Sequence, residues 1–301
     1  MTKEIIESRI IRHREIAGDI FQLELQWSGA ETEGSPGQFV NLYLRDRSML
    51  LPRPISICRM EEEMITLVYR VVGKGTKELS GYQEGETLRI STPLGHGYDL
   101  DAVFRMIAQA GSAQETGRSR QEDGGAQQPG AGQRTICLVA GGLGVPPMVA
   151  LAKALREGIL AGRGWEHDGE HQSGRGEIKI VVMLGFQEEP FLTEELGAYC
   201  DEVHIALERG TTGFRGNVLE LMEKRKIWGD YYLSCGPKPM LKALSELCDR
   251  RSVPVQVSLE ERMGCGYGAC VGCTCKTAEA GGSGESTKLK KVCKDGPVFL
   301  G

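Results

Sequence analysis

What this 301-residue chain lacks narrows its function first. No apolar run approaches the roughly 18 residues needed to cross a bilayer, so no membrane span is expected. There is no surplus of positive charge: 36 Lys and Arg face 41 Asp and Glu, and the net charge is −5. With a pI of about 5.7, nothing electrostatic argues for nucleic acid. The N-terminus, Met1-Thr2-Lys3-Glu4, leads into mixed charge instead of the apolar core of a secretion signal. The expectation is a cytoplasmic protein whose thiols stay reduced. The G-x-G-x-x-G dinucleotide fingerprint is absent. No ribose-binding acid or 2′-phosphate-binding arginine stands out, so NADH and NADPH are not distinguished. No side chain presents itself as a catalytic base.

Composition suits a protein of two domains plus a small module, with 40% hydrophobic and 26% charged residues. Residues 1 to about 97 alternate in the manner of half-buried strands separated by Gly and Pro turns. Examples are Phe21–Leu25, Gln38–Leu44 and Ile65–Val72. Many short strands at regular spacing predict a small barrel. From about residue 135 the texture changes to α/β. Apolar strands are expected at Thr135–Ala140, Lys179–Phe186, Glu202–Leu207 and Tyr231–Cys235. A helix opening near Pro146 carries Met148, Ala152, Leu155 and Ile159 on one face, and another over Lys238–Arg250 carries Leu241, Leu244 and Cys248. Strands alternating with helices predict a parallel sheet. Residues 109–134, 161–176 and 278–287 are rich in Gly, Gln, Ser and charge and are expected to be exposed, mobile loops. The expected domains are 1–100, a connection at 101–134, 135–252 and 253–301.

Ten cysteines are present, and their clustering in a cytosolic chain favours metal over disulfides. Cys265, Cys270 and Cys273 follow the C-x4-C-x2-C spacing of a plant-type [2Fe–2S] site, with Cys293 as the fourth thiolate. The small residues between them let the loop wrap closely. A structural zinc site is the competing reading, although zinc more often uses paired C-x2-C knuckles. Cys275 lies two positions past Cys273 and is a less favoured ligand. Cys58, Cys137, Cys200 and Cys248 sit mostly in apolar runs and read as buried structural residues.

Gly141-Gly142-Leu143-Gly144 follows a strand and opens a helix, which suits a phosphate-bearing ligand or a plain tight turn. Cys235-Gly236-Pro237 ends another strand. Ligands of open parallel sheets bind outside such carboxyl ends, so Gly141, Gly142, Gly144, Cys235 and Gly236 are candidates for a nicotinamide nucleotide. Core filling is the alternative for Cys235. Arg53-Pro54-Ile55-Ser56 offers an arginine, a rigid proline and a hydroxyl in succession, fitting an anionic planar cofactor or an ordinary edge strand. Gly73-Lys74-Gly75-Thr76 would cradle phosphate through its backbone, or form a hairpin turn.

Taken in order, these motifs resemble the electron-transfer subunit of class 1B dihydroorotate dehydrogenase, within the ferredoxin–NADP reductase superfamily. The matching stretches include Arg53–Ile57, Val68–Arg70 through Gly75-Thr76, Pro93–Leu100, Gly141–Pro147, Cys235–Met240, Ser258–Gly266 and Cys293–Phe299. The resemblance implies an antiparallel FAD-binding barrel, a nucleotide-binding α/β domain and a C-terminal [2Fe–2S] module. It carries FAD contact onto Arg53, Pro54, Ile55, Ser56, Val68, Tyr69, Arg70, Gly75 and Thr76, and cluster ligation onto Cys265, Cys270, Cys273 and Cys293. It further implies electron transfer from NADH through FAD and the cluster to an FMN-containing catalytic subunit, two of each per assembly. That partner carries the oxidation of dihydroorotate to orotate in pyrimidine biosynthesis, with NAD+ as acceptor. The insertion at 278–287 lengthens the path from Cys273 to Cys293. Another NAD(P)H-dependent reductase-like subunit, of sulfide dehydrogenase or transhydrogenase type, is the alternative. Those commonly have an aspartate in place of one cysteine, and here all four cysteines are present.

Overall fold

Alternation closes the first sheet. The computed structural model describes residues 4–28, 34–112, 133–163, 177–210, 213–278 and 287–301; of the loops expected at 109–134, 161–176 and 278–287, residues 113–132, 164–176 and 279–286 lie outside them. Strands β1 (Ile5–Ala17), β2 (Ile20–Gln26), β3 (Phe39–Tyr43), β4 (Arg53–Glu61), β5 (Met64–Arg70) and β6 (Thr87–Ser91) form a closed barrel in the order β1-β2-β5-β4-β3-β6. Successive side chains of a strand point to opposite faces. On β5, Ile65, Leu67 and Tyr69 therefore enter the barrel core, where Leu23, Leu25, Val40, Leu42, Leu88 and Ile90 meet them. Thr66, Val68 and Arg70 take the outer face. On β3, Val40 and Leu42 point in, while Phe39 and Asn41 point out. Full burial of each such Leu or Ile contributes about 1.5–3 kcal/mol relative to exposure.

Strand β5 ends at Arg70, two residues short of the expected limit. The chain then turns at Gly73 into helix α1 (Lys74–Leu79), so Gly73–Thr76 is a helix start, not a hairpin. Thr76 explains the break: its hydroxyl accepts from the Val72 and Gly73 amides at 2.9 and 3.2 Å, capping the helix from within. Helix α2 (Leu100–Ser112) occupies residues expected to be a connection.

The second sheet is parallel where its register is defined. It contains β7 (Arg134–Gly141), β8 (Ile178–Phe186), β9 (Glu202–Leu207), β10 (Phe214–Arg215), β11 (Tyr231–Cys235) and β12 (Val255–Ser258) in the order β10-β9-β8-β7-β11-β12. All eight residues of β7 are buried, as expected of a parallel strand covered on both faces. Helices α3 (Pro146–Leu160), α4 (Thr193–Gly197), α5 (Val218–Arg225) and α6 (Lys238–Arg251) alternate with the strands. Met148, Ala152 and Leu155 are buried on α3, with Ile159 of the same expected face only half-buried, and Leu241, Leu244, Leu247 and Cys248 are buried on α6.

The remaining elements are an antiparallel hairpin of β13 (Thr274–Ala278) and β14 (Thr287–Lys291), helix α7 (Val292–Asp295) and strand β15 (Val298–Leu300). The chain divides into two compact units. One contains Met1–Tyr98, Pro146–Ala150 and Ser258–Phe299, hence barrel and cysteine loop together. The other contains Asp99–Val145, Leu151–Val257 and Leu300–Gly301. Gly301 closes onto this second unit, its amide donating to the Val255 carbonyl at 3.0 Å. No described helix is long and apolar enough to cross a membrane.

Candidate functional site

The four cysteines of the spaced motif come together as two pairs. Cys273 and Cys293 bring their sulfurs to 3.3 Å. Cys265 and Cys270 form the other pair, with the Cys270 amide donating to the Cys265 sulfur at 3.4 Å. Among the described residues, no three metal-ligating side chains converge on one point. Two thiol pairs suit a binuclear cluster with two thiolates on each iron.

The pairs differ in electrostatics. Burial pushes the Cys265 thiol up, but hydrogen bonds from the Cys270, Tyr267 and Ala269 backbone and from the Cys270 side chain outweigh it and bring the thiol down to about 6. Cys265 thus rests close to the thiolate form that iron requires. Cys293 goes the other way, to about 12, through burial and then the neighbouring Cys273 thiol. Such a sulfur gives up its proton when a metal replaces it.

The loop leans on the barrel. Phe39 packs with Leu94, Cys273, Val292, Cys293 and Phe299 in one buried cluster. Asn41 donates from Nδ2 to the Cys265 carbonyl at 2.9 Å. One outward face of β3 therefore supports both thiol pairs.

The predicted flavin residues lie directly alongside. Phe39 pairs with Ser56 and Asn41 with Pro54 across β3 and β4. Directly opposed Cβ atoms of antiparallel strands sit about 4.5–5.5 Å apart on the same face. Ile55 turns the other way and packs against the barrel core. Arg53 crosses over Gly75: a Cβ on Gly75 would sit 2.1 Å from the Arg53 Nε. The two motifs, 22 positions apart in sequence, thus share one place. The Arg53 guanidinium donates to the Leu51 carbonyl at 2.5 Å.

Within Val68-Tyr69-Arg70 the side chains separate. Tyr69 is fully buried in the barrel, stacked on Phe21 at 5.7 Å and bonded through its hydroxyl to His13 Nε2 at 2.8 Å. Any ligand on the outer face meets Val68 and Arg70 there, and Tyr69 only through its backbone. Glu260, to which sequence reasoning assigned no role, is open to solvent on one side. The protein around it nonetheless raises its carboxyl, against the pull of Arg70.

In the second unit, β7 is the strand from which the sheet grows both ways, through β8 to one side and β11 to the other. That is a topological switch point, where open α/β sheets bind ligands. Ala140 and Cys235 are register partners there, so the two glycine turns leave adjacent strand ends together. They interlock. A Cβ on Gly144 would lie 2.1 Å from the Cys235 carbonyl oxygen, and one on Gly236 would lie 3.0 Å from the Gly141 amide nitrogen. Gly142 has φ +53° and nothing within 4 Å of a built Cβ, so its backbone is open to a ligand. The Cys235 side chain is buried.

The other cysteines behave as structural residues. Cys58, Cys137, Cys200 and Cys248 are buried. Burial raises the thiols of Cys200 and Cys248 to about 12. Cys275 pairs with Lys290 in the hairpin and packs at the edge of the Phe39 cluster.

Comparison with known proteins agrees with this layout. Residues 260–301 match the iron–sulfur cluster binding domain of dihydroorotate dehydrogenase B. The chain is 33% identical over 294 residues to the dihydroorotate dehydrogenase B (NAD(+)) electron transfer subunit of Caldanaerobacter subterraneus subsp. tengcongensis, covering 98% of this chain and 96% of the relative. It is 37% identical over 295 residues to that of Bacillus caldolyticus, covering 96% and 94%. Among solved structures, the NADH-dependent reduced ferredoxin–NADP oxidoreductase of flavin-based electron bifurcation has a TM-score of 0.70 at 23% identity, over 97% of this chain and 87% of its own. The ferredoxin reductase of carbazole 1,9a-dioxygenase has a TM-score of 0.58 at 16% identity, over 85% and 69%. At these identities the two structures speak to the fold, a ferredoxin reductase-like barrel and parallel sheet. The sequence relatives go further: this chain belongs to the family of dihydroorotate dehydrogenase B (NAD(+)) electron transfer subunits.

Proposed function

We propose that this chain connects a nicotinamide nucleotide to a flavin-containing catalytic partner that oxidises dihydroorotate to orotate. It is an oxidoreductase subunit with FAD and a [2Fe–2S] cluster as cofactors and NAD(H) as substrate. The orotate chemistry belongs to the partner, an FMN protein, in a cytoplasmic assembly of two subunits of each kind that serves pyrimidine biosynthesis. The relatives are named for NAD(+), the form that accepts electrons when dihydroorotate is oxidised; with NADH as donor the same path carries electrons to the partner.

When bound, FAD exchanges hydride pairs for single electrons and the cluster carries single electrons onward. The chain's own residues hold and orient these groups. Cys265 with Cys270, and Cys273 with Cys293, hold the cluster. Arg53, Pro54, Ser56, Val68, Arg70, Gly75, Thr76 and the backbones of Ile55 and Tyr69 hold FAD. Gly141, Gly142, Gly144, Cys235 and Gly236 hold the nucleotide. The observation that supports this most is the register of β3 on β4, which sets Pro54 and Ser56 beside the residues bearing the thiol pairs.

The test is an anaerobic visible spectrum with iron, sulfide, zinc and flavin analysis, followed by co-purification with a dihydroorotate-oxidising subunit. Flavin bands with about two irons and two sulfides per chain are expected. A colourless protein carrying zinc refutes the reading.

A further inference from the structure

Asn41 has no role in any motif, yet it is fully buried on the outer face of a barrel strand, where an apolar residue would do. Its main-chain amide donates to the Ser91 hydroxyl at 2.9 Å. Its side-chain Nδ2 reaches the Cys265 carbonyl, 224 positions away, at 2.9 Å. A carbonyl only accepts, so the orientation of the amide is fixed by chemistry. Its Oδ1 is buried with no hydrogen-bond partner. Native proteins seldom keep such an atom without a purpose.

Gly266 makes the fit specific. It has φ +78°, and a Cβ there would stand 2.4 Å from Asn41 Nδ2 and 2.5 Å from Oδ1. The amide lies flat against a position that only glycine can fill. The loop from Cys265 to Cys273 has no helix or strand of its own before its last turn. Besides Asn41, the Lys291 ammonium anchors it, donating to the Gly268 carbonyl at 2.8 Å.

The Cys265–Gly266 peptide is trans, so its C=O and N–H point in opposite directions. Holding the carbonyl against the barrel turns the Gly266 N–H away from it. N–H groups directed at the sulfurs help set the potential of an iron–sulfur cluster, and in the loop that this peptide opens the backbone amides of Tyr267, Ala269 and Cys270 bond the Cys265 sulfur. We infer that Asn41 is a positioning residue for the cluster, fixing the Cys265–Gly266 peptide and thereby the dipoles that surround the bound iron. This inference rests on the assignment of the cysteines proposed above.

The test uses the full-length chain with Asn41→Leu, which keeps volume and removes the donor, and Asn41→Ser, which shortens the side chain. Iron, sulfide and FAD content, the EPR spectrum of the reduced cluster and its midpoint potential are measured beside wild type. With FAD retained, the expected result is a lower midpoint potential and altered g values, because the reduced cluster loses stabilising dipoles. Selective loss of iron and sulfide with FAD retained also supports the inference. Wild-type EPR and potential in either variant overturn it. So does joint loss of FAD and cluster in both variants, which would make Asn41 a structural residue of the barrel. Wild type without iron and sulfide would instead sink the cysteine assignment itself, and is read separately.

Discussion

The sulfur of Cys273 lies 3.3 Å from the sulfur of Cys293, its partner from the far side of the β13–β14 hairpin. The long insertion in that hairpin leaves the thiol pair together, since β13 and β14 are in register from Thr274–Lys291 to Ala278–Thr287. Cys275, one register step along, has Lys290 opposite it instead of a thiol. Cys270→Ser is therefore expected to abolish the cluster's visible and EPR signals while FAD stays bound. Cys275→Ser should keep both. A full cluster signal in Cys270→Ser would refute the ligand set, and cluster loss in Cys275→Ser would move the fourth ligand.

Arg53 occupies the space that a side chain on Gly75 would need. Gly75→Ala should displace the guanidinium and weaken FAD binding. Arg53→Ala should weaken it comparably. Losing a charge-assisted hydrogen bond to an anion costs about 1.5–3 kcal/mol, or roughly 10- to 150-fold in Kd. Flavin release on dilution, followed by fluorescence, measures it. Unchanged retention in Arg53→Ala would remove Arg53 from the flavin site.

The interlock of Gly144 with the Cys235 carbonyl makes a distinct prediction for the second unit. Gly144→Ala drives a methyl group into a backbone oxygen, which cannot retreat as a flexible side chain would. Overpacking of this kind costs about 1–3 kcal/mol. The variant should lose most NADH-dependent dye reduction while its flavin and iron contents stay normal. Wild-type turnover with NADH would show that the two turns do not bind the nucleotide.

Tyr69→Phe separates packing from cofactor contact. His13 Nδ1 faces the Tyr82 carbonyl at 2.9 Å and must donate to it, leaving Nε2 to accept from the Tyr69 hydroxyl. Removing that hydroxyl should cost about 1 kcal/mol of barrel stability. The flavin absorption maxima and FAD content should stay as in wild type. A shifted flavin spectrum at undiminished thermal stability would mean that Tyr69 touches the ring.

Much of this architecture was legible in the residues because short-range signals carried it. Parallel strands buried on both faces read as near-continuous apolar runs, and β8 and β11 were found within a residue of their ends. The C-x4-C-x2-C spacing is local and needs no fold to be seen. What escaped was long-range or ambiguous. Strand β1 mixes Glu7, Arg9, Arg12, Arg14 and Glu15 with its apolar residues, and α2 begins in a stretch that runs into a polar segment. Tyr69 was grouped with its neighbours by motif, whereas strand pleating sends it to the opposite face. Asn41 belongs to no motif at all. Its partner is 224 positions distant, and only closure of the barrel brings them together.

Strand β3 has one further consequence, for biogenesis. Val40 and Leu42 seal the inside of the barrel, while Phe39 and Asn41 form the floor beneath the cysteine loop. The loop has no floor until the strands have closed. With the cysteines as ligands, metallation is expected to depend on a closed barrel, and a barrel defect is expected to lower iron content with every ligand intact.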